Sequence, residues 1–230
     1  MAALGVVCIH GAGLNSTLWD AFKRECGSEV LAVDFPNRGE PGGRNKNLGF
    51  PDYVETVTEQ IKNWNGESFV LVGHSLGALV GIKVAEAFKT QVTAMVAIAS
   101  VVPKSGNSFA SALPFPQNYL LPPILGLLGT RPPESSIRSS LCRDLDPNLA
   151  EKIVREFTPE VKKLYTAKIE FTLPGTDRLY IKTTRDDLPE NYQDRMAANF
   201  GADTVMALDS GHLPMLSHPK ALADAIGRFT

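Results

Sequence analysis

Residues 73–77 read Gly-His-Ser-Leu-Gly, a G-x-S-x-G pattern that can present a serine hydroxyl as a nucleophile. The apolar run FVLV ends just before it, and a helix-like stretch, LGALVGIKVAEAF, begins at Leu76. A nucleophile elbow needs that strand-turn-helix setting. The glycines permit a tight, strained turn, and the helix N-terminus offers N–H groups and the positive end of its dipole. The bland reading of the same pattern is a glycine-rich turn with an N-capping serine.

A serine at its free pKa is a weak nucleophile, so an imidazole and an orienting carboxylate must accompany it. Of the four histidines, His10 and His74 lie inside glycine-bounded motifs on strand ends and read as structural. His212 stands in the loop DSGHLP after the last apolar run and is the expected base. His218 is its competitor, but it sits where a terminal helix should start. Ligand sites in open α/β sheets gather at the C-terminal ends of strands. The acid is therefore sought after YIKTT, where Arg185-Asp186-Asp187 follows. Asp186 is the expected acid and Asp187 the next choice, while Asp34 and Asp177 read as a strand-end residue and a turn residue.

A second group of donors is expected in His10-Gly11-Ala12-Gly13, after the first apolar run. The backbone N–H groups of Ala12 and Leu76 are the expected oxyanion hole. The glycines there lack the lysine and spacing of a phosphate-binding loop.

These residues need a scaffold that brings several strand ends together. Apolar runs of four to eight residues bounded by Gly, Pro, Asn or Asp occur at 5–10, 30–34, 68–73, 93–100, 178–184 and 204–209. Helical patterns lie between most of them, at 14–26, 51–64, 76–90 and 190–200, with a last one at 220–229. That alternation predicts an α/β fold with a mostly parallel sheet of about six strands and helices on both faces. Continuous apolar runs suit strands buried on both sides.

Residues 102–177 break the rhythm. Proline, serine and glycine dominate first, and helical patterns follow at 148–155 and 159–168. The expectation is a core made of 1–101 and 178–230 with a cap, 102–177, inserted before the strand that precedes the acid. The cap carries Phe109, Leu113, Phe115, Tyr119, Leu120, Leu121, Ile124 and Leu125. Phe109, Phe115, Tyr119 and Leu120, together with Leu213, are the expected substrate-pocket residues.

Composition limits the partners. With Lys plus Arg at 23, Asp plus Glu at 25 and a net charge of −2 over 230 residues, no basic field exists to hold nucleic acid or an anionic membrane. Hydrophobic residues at 43% and charged residues at 21% are ordinary for one globular core. Three cysteines, Cys8, Cys26 and Cys142, cannot pair completely, which suits a reducing, cytoplasmic setting. The apolar N-terminus lacks the basic region of a signal peptide and reads as a strand. The apolar stretch 119–129 is too short to span a bilayer and leaves a homodimer open. No cluster at metal-ligand spacing is evident, so neither metal nor cofactor is expected.

Ser75, Asp186 and His212 occur in the chain order of the α/β-hydrolases, and the sequence resembles that superfamily over nearly its whole length. It is similar more narrowly to the plant methylesterase and hydroxynitrile-lyase group and its bacterial carboxylesterase relatives. Those also begin at an HGA-type strand, carry a GHSLGG-like elbow, and have late segments resembling YIKTTRDDLPENYQ and GHLPMLSHP. The position after His212 is Leu213, where the lyases carry lysine, and HGAG replaces their threonine-bearing loop. The resemblance therefore implies a serine esterase acting on small-molecule esters with an apolar acyl group, methyl esters among them, without a cofactor. A lactonase and a slow-turnover ligand receptor on the same scaffold are the alternatives. The first motif at His10 also implies a sheet trimmed of the two strands that commonly precede it in that superfamily.

Overall fold

The six apolar runs become the six strands of one sheet, all parallel, in the order β2-β1-β3-β4-β5-β6. They are β1 Gly5–Ile9, β2 Val30–Val33, β3 Phe69–His74, β4 Val92–Ile98, β5 Asp177–Thr183 and β6 Thr204–Leu208. This computed structural model describes residues 4–38, 47–64 and 66–229.

Side chains alternate across the sheet and feed two cores. Val7, Ile9, Leu71, Met95 and Tyr180 point to one face, where α2 Phe50–Lys62, α3 Gly77–Ala85 and the helix Glu190–Phe200 pack on them. Val6, Cys8, Val72, Val96 and Ile181 point to the other. There the 3₁₀ turn Ser16–Trp19, α1 Asp20–Glu25 and the last helix, Pro219–Ile226, contribute Trp19, Phe22, Leu222 and Ile226. Burial of each such side chain stabilises the fold by about 1.5–3 kcal/mol. The edge strand β6 departs from the expectation of two-sided burial: it is mostly exposed, with Val205 45% accessible, because it is the last strand of the sheet.

The patterned helix 14–26 is split. Asn15 caps the 3₁₀ turn by accepting from Thr17 N–H at 3.0 Å, and Asp34 accepts from both the N–H and the hydroxyl of Ser16. These bonds fix the start of the turn and seat the chain that leaves β1.

Between β4 and β5 the chain forms a largely helical insertion with its own small core of Ile137, Cys142, Ala150, Val154 and Phe157. Its helix Pro147–Glu156 starts on the Asp146 side chain, which accepts from Asn148 and Leu149 N–H, with Pro147 at the first helical position. Most of the apolar stretch 119–129 lies in a helix, Gln117–Leu127, that carries Pro122 and Pro123 in its interior and has no buried residue. Bonds to the Pro114 and Pro116 carbonyls start it, and a Leu128-to-Ile124 bond ends it. Among the described residues no helix is long and apolar enough to cross a membrane.

Candidate active site

The parallel order puts the ends of β1, β3, β5 and β6 along one edge of the sheet, and the chain turns in opposite directions after β1 and before β3. That reversal is where open α/β sheets form a crevice. The expected chemistry-bearing residues stand at these strand ends.

Ser75 follows β3 directly and holds φ at +52°, a conformation that costs a non-glycine residue of order 1–3 kcal/mol. Glycine makes the turn possible. A Cβ on Gly73 would lie 2.4 Å from Ala78 Cα, and one on Gly77 would lie 2.4 Å from the His10 carbonyl oxygen. The Ser75 N–H donates to Ile98 O at 2.9 Å, tying the elbow to β4. Leu76 is the residue before α3, its side chain fully buried in the core. Among the described residues, the Ala12 and Leu76 N–H groups are paired with no acceptor.

Asp186 and His212 meet across the β5 and β6 loops. His212 Nδ1 donates to Asp186 Oδ2 at 2.7 Å. The same carboxylate accepts from the Thr183 hydroxyl at 2.9 Å and from Leu188 N–H at 3.1 Å. Burial alone would raise the Asp186 pKa, but the imidazole and these donors outweigh it and hold the carboxyl well below the usual range. Burial likewise works against a charged His212, but the Asp186 carboxylate prevails and raises its pKa, with Asp187 and Asp144 adding to the effect. The Nδ1–H bond leaves Nε2 as the proton-accepting nitrogen.

The other histidines are structural. His10 is fully buried, donates from Nδ1 to Gly11 O at 2.7 Å and accepts at Nε2 from Phe35 N–H at 3.1 Å. Burial first, and then the nearby Arg38 charge, pull its pKa down to about 3. His74 Nε2 donates to the His212 carbonyl at 2.9 Å. His218 lies at the helix start, its Nδ1 2.9 Å from Ser217 Oγ. Asp187 is exposed and paired with Arg143.

A cavity of about 240 Å³ opens over this edge. Gly11, Ala12, Ser75 and His212 form its floor, and the insertion supplies Ser136, Ile137, Ser140, Leu141, Phe157 and Tyr165 as further lining. None of the expected pocket residues is among this lining. Phe115, Tyr119 and Leu120 are 79%, 71% and 52% exposed, on or beside the unburied helix Gln117–Leu127. Phe109 is buried edge-on against Tyr165, with centroids 5.9 Å apart, and so stands one layer behind the wall. Leu213 is fully buried in the core under the last helix.

Three insertion residues that sequence reading missed touch the edge. Glu160 Oε1 accepts from Gly13 N–H at 2.9 Å and from the Arg38 guanidinium, and its Oε2 accepts from the Tyr53 hydroxyl at 2.8 Å. Thr158 N–H donates to Gly13 O at 2.9 Å, so the loop after β1 is held on both sides. Asp144 Oδ2 accepts from Gly211 N–H at 2.6 Å. Each pairs with a glycine far away in the chain, and no local spacing signals that.

Comparison with known proteins agrees with this architecture. The family model described as "Alpha/beta hydrolase family" matches residues 6–225. The chain belongs to the alpha/beta hydrolase family. Methylesterase 3 of Arabidopsis thaliana is 27% identical, covering 94% of this chain and 92% of the relative. Methyl jasmonate esterase 1 of Vitis vinifera is also 27% identical, over 93% and 91%. Among solved structures, an extracellular alpha/beta-hydrolase from a Paenibacillus species superposes with a TM-score of 0.83 at 20% identity, covering 98% of both chains. A polyneuridine aldehyde esterase mutant reaches 0.81 at 21% identity over 99% of both chains. This alpha/beta hydrolase thus shares its fold along its whole length with proteins named as esterases.

Proposed function

We propose that this carboxylesterase-type hydrolase cleaves small to medium carboxylic esters, methyl esters included, through a Ser75-His212-Asp186 triad and an acyl-enzyme. The observation that carries the reading is the Asp186–His212 hydrogen bond at the wall of a cavity that also holds Ser75 on its strained turn. His212 Nε2 takes the Ser75 proton as Oγ attacks the ester carbonyl. Asp186 steadies the imidazolium, and the Ala12 and Leu76 N–H groups receive the oxyanion, each contributing about 3–4 kcal/mol. The acyl–oxygen bond then breaks, and the alcohol leaves with the proton from His212. Water, deprotonated by the same nitrogen, releases the acid and frees Ser75.

The methylesterase names of the relatives support a small alcohol group. The cavity lies at the small end of ligand sites, and Leu14, Ile137, Leu141 and Phe157 give it an apolar lining for an acyl chain. Residues 102–177 act in this reading as the cap that sets acyl specificity. Turnover of p-nitrophenyl and methyl esters by Ser75→Ala tests the assignment. A fall of several orders of magnitude is expected, and unaltered turnover rejects it.

A further inference from the structure

Asp144 is a costly residue to keep where it stands. Its side chain is 7% exposed, and one carboxylate oxygen, Oδ1, is buried without a partner among the described residues. A buried carboxylate with an unmet acceptor carries a desolvation penalty that packing alone does not offset. Its other oxygen receives the Gly211 N–H at 2.6 Å, one peptide before His212, and lies 3.8 Å from the Arg185 guanidinium, one residue before Asp186. The contact is close: a Cβ on Gly211 would sit 2.6 Å from Asp144 Oδ1, so the carboxylate would have to shift. The neighbouring Arg143 donates to the Arg185 carbonyl at 3.4 Å and pairs with Asp187. One dipeptide of the insertion therefore grips both the acid loop and the base loop. It follows directly on the segment whose Ser136, Ile137, Ser140 and Leu141 line the cavity, while Asp144 itself does not line it.

We infer that Asp144 is a positioning residue for His212, fixing the backbone at Gly211 so that the imidazole keeps its place between Asp186 and the cavity. The inference rests on the reading of His212 as the base. The charged and titratable groups facing His212 are Asp186, Asp187, Asp144 and the buried His74, whose ring centroid is 4.7 Å away; Arg185 borders the same cluster through Asp144. Removing the Asp144 charge thus takes one stabilising carboxylate from the imidazolium.

The test compares Asp144→Ala, which removes both hydrogen bond and charge, with Asp144→Asn, which keeps an oxygen for Gly211 N–H and removes the charge alone. Steady-state ester kinetics across pH are paired with an NMR titration of the His212 imidazole in the same variants carrying Ser75→Ala. The alanine variant should lose about 10- to 100-fold in kcat, as a small misplacement of a reacting group does, while the asparagine variant retains most of it. Both should move the acid limb and the NMR midpoint of His212 to lower pH. If the alanine variant does not fold, Asp144→Ser takes its place, and a serine midpoint and kcat no lower than those of the asparagine variant overturn the inference. An unmoved midpoint overturns the inference, as does a parent-like kcat in a folded alanine variant. If the parent shows no Ser75-dependent turnover, the proposed esterase fails. The NMR midpoint still decides the role of Asp144.

Discussion

Oδ2 of Asp186 lies 2.7 Å from His212 Nδ1 and also accepts the Thr183 hydroxyl at 2.9 Å, so one carboxylate oxygen is held from β5 while it holds the imidazole. In the proposed mechanism His212 acts when neutral, and its pKa is raised above the ordinary 6.5 because Asp186 outweighs burial. The acid limb of kcat/KM should therefore sit above 6.5. Asp186→Asn removes the largest charge opposing burial and leaves only the weaker effects of Asp187 and Asp144, so the limb should move to lower pH as kcat falls. A pH–rate profile of both proteins checks the sign; a limb that stays in place contradicts it. Stability follows the same linkage: the His212 contribution is full below 6.5 and lost as pH rises through its higher folded value.

The elbow leaves no room for side chains at its glycines. Gly77→Ala would press a methyl to 2.4 Å from the His10 carbonyl oxygen, a backbone atom that cannot swing aside. Activity should fall at least about 100-fold, as expected for a displaced nucleophile. Gly81→Ala, further along α3, meets Ile9 Cδ1 at 3.4 Å and Leu71 at 3.6 Å, ordinary packing contacts. It should be stabilising by up to about 1 kcal/mol through helix propensity. Thermal melts and initial rates of the pair separate the two cases.

Glu160 and Arg38 form an ion pair with side chains 0% and 4% exposed. Glu160→Ala would strand the Arg38 charge and the Gly13 N–H together. Loss of one partner of such a pair costs about 3–5 kcal/mol. Urea unfolding should show a loss of this size with kcat reduced through the loosened oxyanion loop. A loss below about 1 kcal/mol would count against a structural role for the pair.

The cavity wall makes a prediction about specificity. Ser140→Leu should fill the space beside Ile137 and Leu141 and shift preference toward shorter acyl chains, read as kcat/KM over a p-nitrophenyl ester series. Phe115→Ser and Tyr119→Ser change exposed side chains remote from that lining and should leave the series unchanged within about twofold. A chain-length shift in the second pair alone would move the pocket to the helix Gln117–Leu127.

The strands were legible because burial on both faces writes itself as unbroken apolar runs, as in GVVCI and FVLV. The placement of Ser75, Asp186 and His212 at the strand ends was legible because strand ends and glycines mark where such side chains can emerge. The cavity wall was not. Ser136 and Ser140 carry no apolar signal, whereas Phe115 and Tyr119 carry a strong one but face outward, and hydrophobicity alone does not say which way a helix turns. Asp144 and Glu160 find their partners 67 and 147 residues away along the chain, so no local pattern could connect them.

The placement of the insertion also has a kinetic meaning. Ile98 and Ile181 are direct neighbours in the sheet, yet the whole insertion separates them along the chain. Closing so long a loop consumes chain entropy before the strand contacts offset it, which makes such pairings slow. Ser75 belongs to the half of the sheet before that gap, and Asp186 and His212 belong to the half after it. The two parts of the proposed triad meet only when β4 finds β5. During refolding, recovered turnover should therefore trail recovered helix content and report that single long-range event.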